Sequence, residues 1–117
     1  MPEEKTIQIT DKKEIEKIIE EKIKNRKLVF TNYYWYTIDK KGLSHKLVLE
    51  TFPRFELVFA IEQETLKHGD LGYELFYKLS GNTSLSIATC PKNKELLIIH
   101  AVEYKRKLDK RIKTFKT

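Results

Sequence analysis

Residues 27–39 read KLVFTNYYWYTID, and the fold turns on what this stretch becomes. Phe30, Tyr33, Tyr34, Trp35 and Tyr36 lie within seven residues, interleaved with β-branched side chains. Aromatic and β-branched residues suit a pleated surface, so the composition predicts a long strand. On that strand Phe30, Tyr34, Tyr36 and Ile38 point one way, and Val29, Tyr33, Trp35 and Thr37 the other. A sheet with one solvated face needs only one aromatic row. The second row then calls for cover. Three covers fit: unpaired bases stacked on the rings, a second buried face, or half of a dimer interface.

Working outward toward the N-terminus, Ile7 and Ile9 alternate with polar residues and predict a short edge strand over residues 6–10. Asp11 reads as an N-cap with Glu14 three residues later, an Asp version of the capping box. Ile15, Ile18, Ile19 and Ile23 repeat at spacings of three and four among Glu and Lys. That spacing predicts an amphipathic helix over residues 12–25 with one apolar stripe.

Toward the C-terminus, Lys40, Lys41 and Gly42 predict a turn. Residues 46–52 and 55–62 read as two strands joined at Pro53 and Arg54, since proline suits a turn and cannot sit in a central ladder. Residues 62–80 admit two readings. As a helix, Asp70 caps a face of Leu71, Leu75, Phe76 and Leu79, with Gly81 past its end. As a strand, Leu71, Tyr73, Leu75, Tyr77 and Leu79 alternate. The helix is favoured here. Residues 83–89 and 95–103 read as strands joined by a polar loop over residues 90–94. The chain ends in a predicted basic helix or tail, residues 104–117, with Tyr104, Leu108, Ile112 and Phe115 as a narrow apolar stripe. The expectation is one α+β domain over residues 1–117. It has an antiparallel sheet of four to six strands, an N-terminal amphipathic helix, a middle helix over residues 62–80 and the basic C-terminal helix.

The charge pattern points to a partner. The chain has 117 residues and a net charge of +6. All of that excess lies in residues 104–117, YKRKLDKRIKTFKT, which carry seven Lys or Arg against Asp109. A neutral body with a concentrated cationic end is suited to something anionic. Lys105, Arg106, Lys107, Lys110, Arg111, Lys113 and Lys116 could neutralise several backbone phosphates, with strong dependence on salt. Tyr33 and Trp35, sharing one face of the predicted strand, are the candidates for stacking on bases. Nucleic acid, single-stranded before duplex, is therefore the expected partner, DNA and RNA being equally compatible. A solvated helix that docks through Leu108, Ile112 and Phe115 explains the same residues. So does an acidic protein partner, as for a small viral or regulatory inhibitor. An interaction module that pairs two copies of the chain is the rival from a different class.

Catalytic signals are sparse. Glu103-Tyr104-Lys105 closes the run LLIIHAVE, and an acid and a lysine two apart at a strand end resemble the Glu-x-Lys half-motif of restriction-type and junction-resolving nucleases. The resemblance implies Glu103 as a Mg²⁺ ligand and Lys105 as the residue that orients water. An upstream acid would complete the site, and residues 80–93 contain neither Asp nor Glu. His45, His68 and His100 lack zinc-site spacing, and His100 in an apolar strand reads as a hydrogen-bonded core histidine. Cys90 stands alone, which excludes an intramolecular disulfide framework. The four glycines are scattered and form no phosphate loop. No metal, cofactor or enzymatic activity is therefore expected. The first ten residues, MPEEKTIQIT, lack the pattern of a secretion signal, and no apolar run approaches bilayer length. A cytoplasmic protein is expected, away from membranes. The weight of Lys, Glu and Ile suits a thermophile or its virus, and equally an AT-rich genome.

Overall fold

The computed structural model describes residues 6–105. In chain order these form β1 (Thr6–Ile9), α1 (Lys12–Ile18), β2 (Lys27–Phe30), α2 (Asn32–Lys41), α3 (His45–Thr51), β3 (Val58–Thr65), β4 (Leu71–Lys78), β5 (Ser84–Lys92) and β6 (Glu95–Tyr104). The α+β class is as expected, with six strands in one sheet ordered β1-β3-β4-β5-β6-β2. The sheet is mixed rather than wholly antiparallel, because β2 lies parallel to β6 at one edge.

The N-terminal elements follow their sequence signals. β1 is an edge strand on β3. Asp11 caps α1, its Oδ2 accepting from the Glu14 backbone N–H at 3.0 Å. After Ile18 the helix widens into one π turn, Ile19–Ile23, which keeps Ile15, Ile19 and Ile23 buried on one side. Arg26 closes this end by donating to the Lys22 carbonyl at 2.7 Å and to the Asn93 carbonyl.

The aromatic stretch breaks the strand prediction. Only Lys27–Phe30 is a strand, and Asn32–Lys41 is a helix. Thr31 caps that helix through the Tyr34 N–H at 3.1 Å. At the other end Gly42 adopts the left-handed conformation, φ 65°. Its N–H donates to the Asp39 carbonyl while the Leu43 N–H reaches Ile38. This paired closure satisfies the last carbonyls, and it needs a residue that tolerates positive φ. Tyr34, Thr37 and Ile38 are buried, at helical spacing.

Residues 46–52 are also helical instead of extended. Ser44 caps α3 through the Leu47 N–H at 3.2 Å, and Val48, Thr51 and Phe52 turn inward. The predicted strand over residues 55–62 begins later, at Val58, after a short 3₁₀ turn. The middle helix is absent: Leu71–Lys78 is a strand in the centre of the sheet. Both its faces are covered, since Tyr73, Leu75 and Tyr77 are buried on one side and Phe76 on the other. Asp70 accepts from the Leu66 N–H through its carbonyl in the turn that leads into this strand, and Gly69 there has φ 87°.

The last hairpin is tighter than predicted. β5 runs through Pro91 to Lys92, leaving a two-residue turn of Asn93 and Lys94. Pro91 is tolerated because β4 pairs with β5 only as far as Thr89, so no ladder bond is demanded of it on that side. β6 ends at Tyr104, and the predicted basic helix lies outside the described residues beyond Lys105.

The core lies on one face of the sheet. Ile9, Ile61, Leu75, Ile87 and Ala101 stand side by side across five strands and are all buried. Against this row pack Ile15, Ile19 and Ile23 from α1 and its π turn, Tyr34 and Ile38 from α2, and Val48 and Phe52 from the α3 region. The neighbouring row, Gln8, Glu62, Glu74, Ala88 and His100, faces the opposite way. No helix among the described residues is long and apolar enough to cross a membrane.

Candidate nucleic-acid interface

Helix α2 sets the site. Its N-cap is tied to β6 where that strand bulges: Thr31 N–H donates to the Ile98 carbonyl at 3.1 Å, and Thr31 Oγ1 lies 3.3 and 3.4 Å from the carbonyls of Ile98 and Ile99. The bulge arises because Thr89 pairs with Ile98 and Ala88 with His100. The extra residue re-aims the strand, as bulges do near sites. It brings the His100 ring edge-on to Tyr33, centroids 6.1 Å apart. His100 thus sits half-buried on the face away from the main core, not within that core as predicted.

Burial of Tyr34 leaves its neighbours outside. Tyr33, Trp35 and Tyr36 are 56%, 45% and 58% exposed. Their grouping differs from the prediction because residues two apart on a helix point nearly oppositely, while residues three apart are neighbours. Tyr33 therefore pairs with Tyr36, which the strand reading had put on the other face. Their rings are 6.4 Å apart and inclined by 28°. Lys40 lies over the Tyr36 ring at 5.6 Å, with Nζ 3.4 Å from the phenol oxygen. The strip thus consists of two accessible rings, a cation at one end and an imidazole at the other.

Trp35 belongs to a second group. Its ring lies 4.6 Å from His45, 5.2 Å from Tyr34 and 5.8 Å from Phe30. Tyr34 Oη is 2.7 Å from His45 Nδ1, which ties α2 to the start of α3. Burial pushes the Tyr34 hydroxyl up to about 12, so it remains a protonated donor. Exposure of one edge of Trp35 makes it a reporter beside the Tyr33–Tyr36 strip.

Of the predicted phosphate contacts, Lys105 is exposed where β6 ends, and Arg106, Lys107, Lys110, Arg111, Lys113 and Lys116 lie outside the described residues. Glu103, the candidate metal ligand, is half-buried opposite Leu85. Among the described residues no three His, Cys, Asp or Glu side chains gather as metal ligands would. Cys90 is buried on the face away from the main core; burial chiefly, and then Asp70, raise its thiol, while Lys92 opposes them. A protonated, inaccessible thiol is a poor nucleophile. The site contributions of Tyr36, Lys40 and His100 were missed in the sequence. Tyr36 and Lys40 become visible once Thr31 and Gly42 are read as the two ends of a helix.

Comparison with known protein families, with curated proteins and with solved structures finds no match.

Proposed function

We propose that this protein binds single-stranded nucleic acid, with bases stacking on Tyr33 and Tyr36 and the phosphates following Lys40, Lys105 and the cations of residues 106–117. The observation that carries this reading is the Tyr33–Tyr36 pair, both rings more than half exposed on a helix anchored to the sheet. Single-strand binders combine stacking rings with a cationic track, and stacking tolerates any base. Anisotropy of a labelled oligonucleotide tests it, with Trp35 fluorescence followed in parallel. Tyr33→Ala and Tyr36→Ala should each weaken binding by ~1–3 kcal/mol, roughly 5- to 150-fold. Lys→Ala changes in residues 105–116 should weaken it for every sequence and flatten the salt slope. Affinity indifferent to salt and to both tyrosines refutes the reading.

The same exposure supports a second reading, a homodimer joined through α2. Three large aromatics on one short helix form the kind of patch that pairs protein surfaces. A dimer that survives high salt in sedimentation and dissociates on Tyr36→Asp favours this alternative.

A further inference from the structure

The sheet face opposite the main core is more deeply buried than its described neighbours account for. Ala60, Phe76, Ser86 and Val102 form one row across it, and the first three are 0% exposed. The buried side chains of all three helices belong to the other face. The described apolar side chains packed against Ala60 and Phe76 are Phe59 and Tyr104. Alongside this row runs the polar one, in which Glu62 and Glu74 stand directly opposite each other on β3 and β4. Glu62 is buried and Glu74 half-buried. Two acids opposed on a sheet repel, and burial raises the cost, so such a pair calls for cations against it.

An occupant must therefore offer apolar side chains to Phe76 and positive charge to the two glutamates. Residues 106–117 offer both: Leu108, Ile112 and Phe115 at spacings of four and three, with six basic residues against Asp109. The chain also leaves the sheet in the right place. Tyr104, the last residue of β6, already packs on the Ala60–Phe76 cluster. We propose that this face is the seat of the chain's own C-terminal segment, with Leu108, Ile112 and Phe115 meeting the Phe76 row and its lysines and arginines meeting Glu62 and Glu74. The cations on the outer side of the segment stay available to phosphates, so this placement stands or falls independently of nucleic-acid binding.

Zero-length carbodiimide coupling of the full chain without nucleic acid, followed by peptide mapping of the monomer, tests this directly. Glu62 or Glu74 should couple to Lys107, Lys110, Lys113 or Lys116. Ile112→Asp should abolish that coupling and lower Tm by roughly 4 °C or more, the shift expected for about 1 kcal/mol in a domain of this size. Coupling only between copies, shown by mixing isotope-labelled and unlabelled protein, overturns the proposal in favour of a second copy on this face. An absence of coupling with an unchanged Tm for Ile112→Asp overturns it outright.

Discussion

Ser86 and Thr89 lie on the same strand and carry the same functional group, yet the structure assigns opposite signs to its removal. Ser86 is fully buried between Phe76 and Val102, and its Oγ has no hydrogen-bond partner. A desolvated hydroxyl without a partner costs ~1–3 kcal/mol by protein mutational data. Ser86→Ala removes that cost and leaves a void smaller than a methyl group, with a loss of dispersion contacts under ~1 kcal/mol. The net expectation is a gain of about 1 kcal/mol, or roughly 4 °C in Tm for a domain of this size. Thr89 Oγ1, in contrast, donates to the Tyr73 carbonyl at 2.7 Å in a site that is 1% exposed. Thr89→Val keeps the shape and loses the bond, so it should cost about 1 kcal/mol. Urea denaturation with unchanged m-values reads both differences. A Ser86→Ala variant less stable than the wild type would refute the reasoning, because the hydroxyl would then be making a bond that the packing here does not provide.

Three further outcomes are expected. Tyr77→Phe removes the 2.7 Å bond from the phenol to the Phe52 carbonyl, fully buried between β4 and the end of α3, and should cost ~1–3 kcal/mol in the same denaturation assay. Burial holds Cys90 above its ordinary 9.0, and Tyr34, Tyr73 and Tyr77 above 10.0. The unfolded chain therefore sheds protons first, so stability is whole below about pH 8.5 and falls as pH rises through the thiol and then the phenol range. A pH series of Cm checks this, and Cys90→Ala should delay the onset of the fall. Asp70 raises the Cys90 thiol and Lys92 lowers it, the two being joined by a 3.0 Å ion pair. Asp70→Asn should therefore speed alkylation of Cys90 at pH 8, and Lys92→Ala should slow it, as read by mass spectrometry.

Long periodic signals carried through from sequence to structure, and short ones did not. Ile15, Ile19 and Ile23 repeat long enough to exclude a strand, and the last two strands alternate cleanly around a polar turn. In the aromatic stretch, Tyr34 and Ile38 are four apart, a spacing that both a strand and a helix accommodate. Composition tipped that reading toward a strand, but the capping bonds of Thr31 and Gly42 and the burial of Tyr34 against the core favour a helix. The same held for α3, where Val48, Thr51 and Phe52 form the buried face while the alternating Leu49 stays exposed. At β4 the ambiguity had another source: a central strand is buried on both faces, so it loses the alternation that would distinguish it. The candidate site was legible in kind, as exposed aromatics beside cations, and mis-grouped in detail. Which rings meet depends on the helical period of α2 and on a bulge in β6 that no local pattern announces.

The order of strands has a consequence for how the chain is made. β1 waits for β3, and β2 has no partner until β6, the last strand of the described chain, is available. The bonds that seat α2 on the sheet join Thr31 to residues 67 and 68 positions later. During vectorial synthesis the three helices therefore emerge before the surface they cover exists. β3 to β6, linked by short turns, can zip together first, and the N-terminal third is recruited to both edges afterwards. An arrested chain that stops short of residue 95 should therefore leave β2 and α2 undocked, however complete its helices. Protection of Tyr34 from solvent would mark the moment at which synthesis becomes folding.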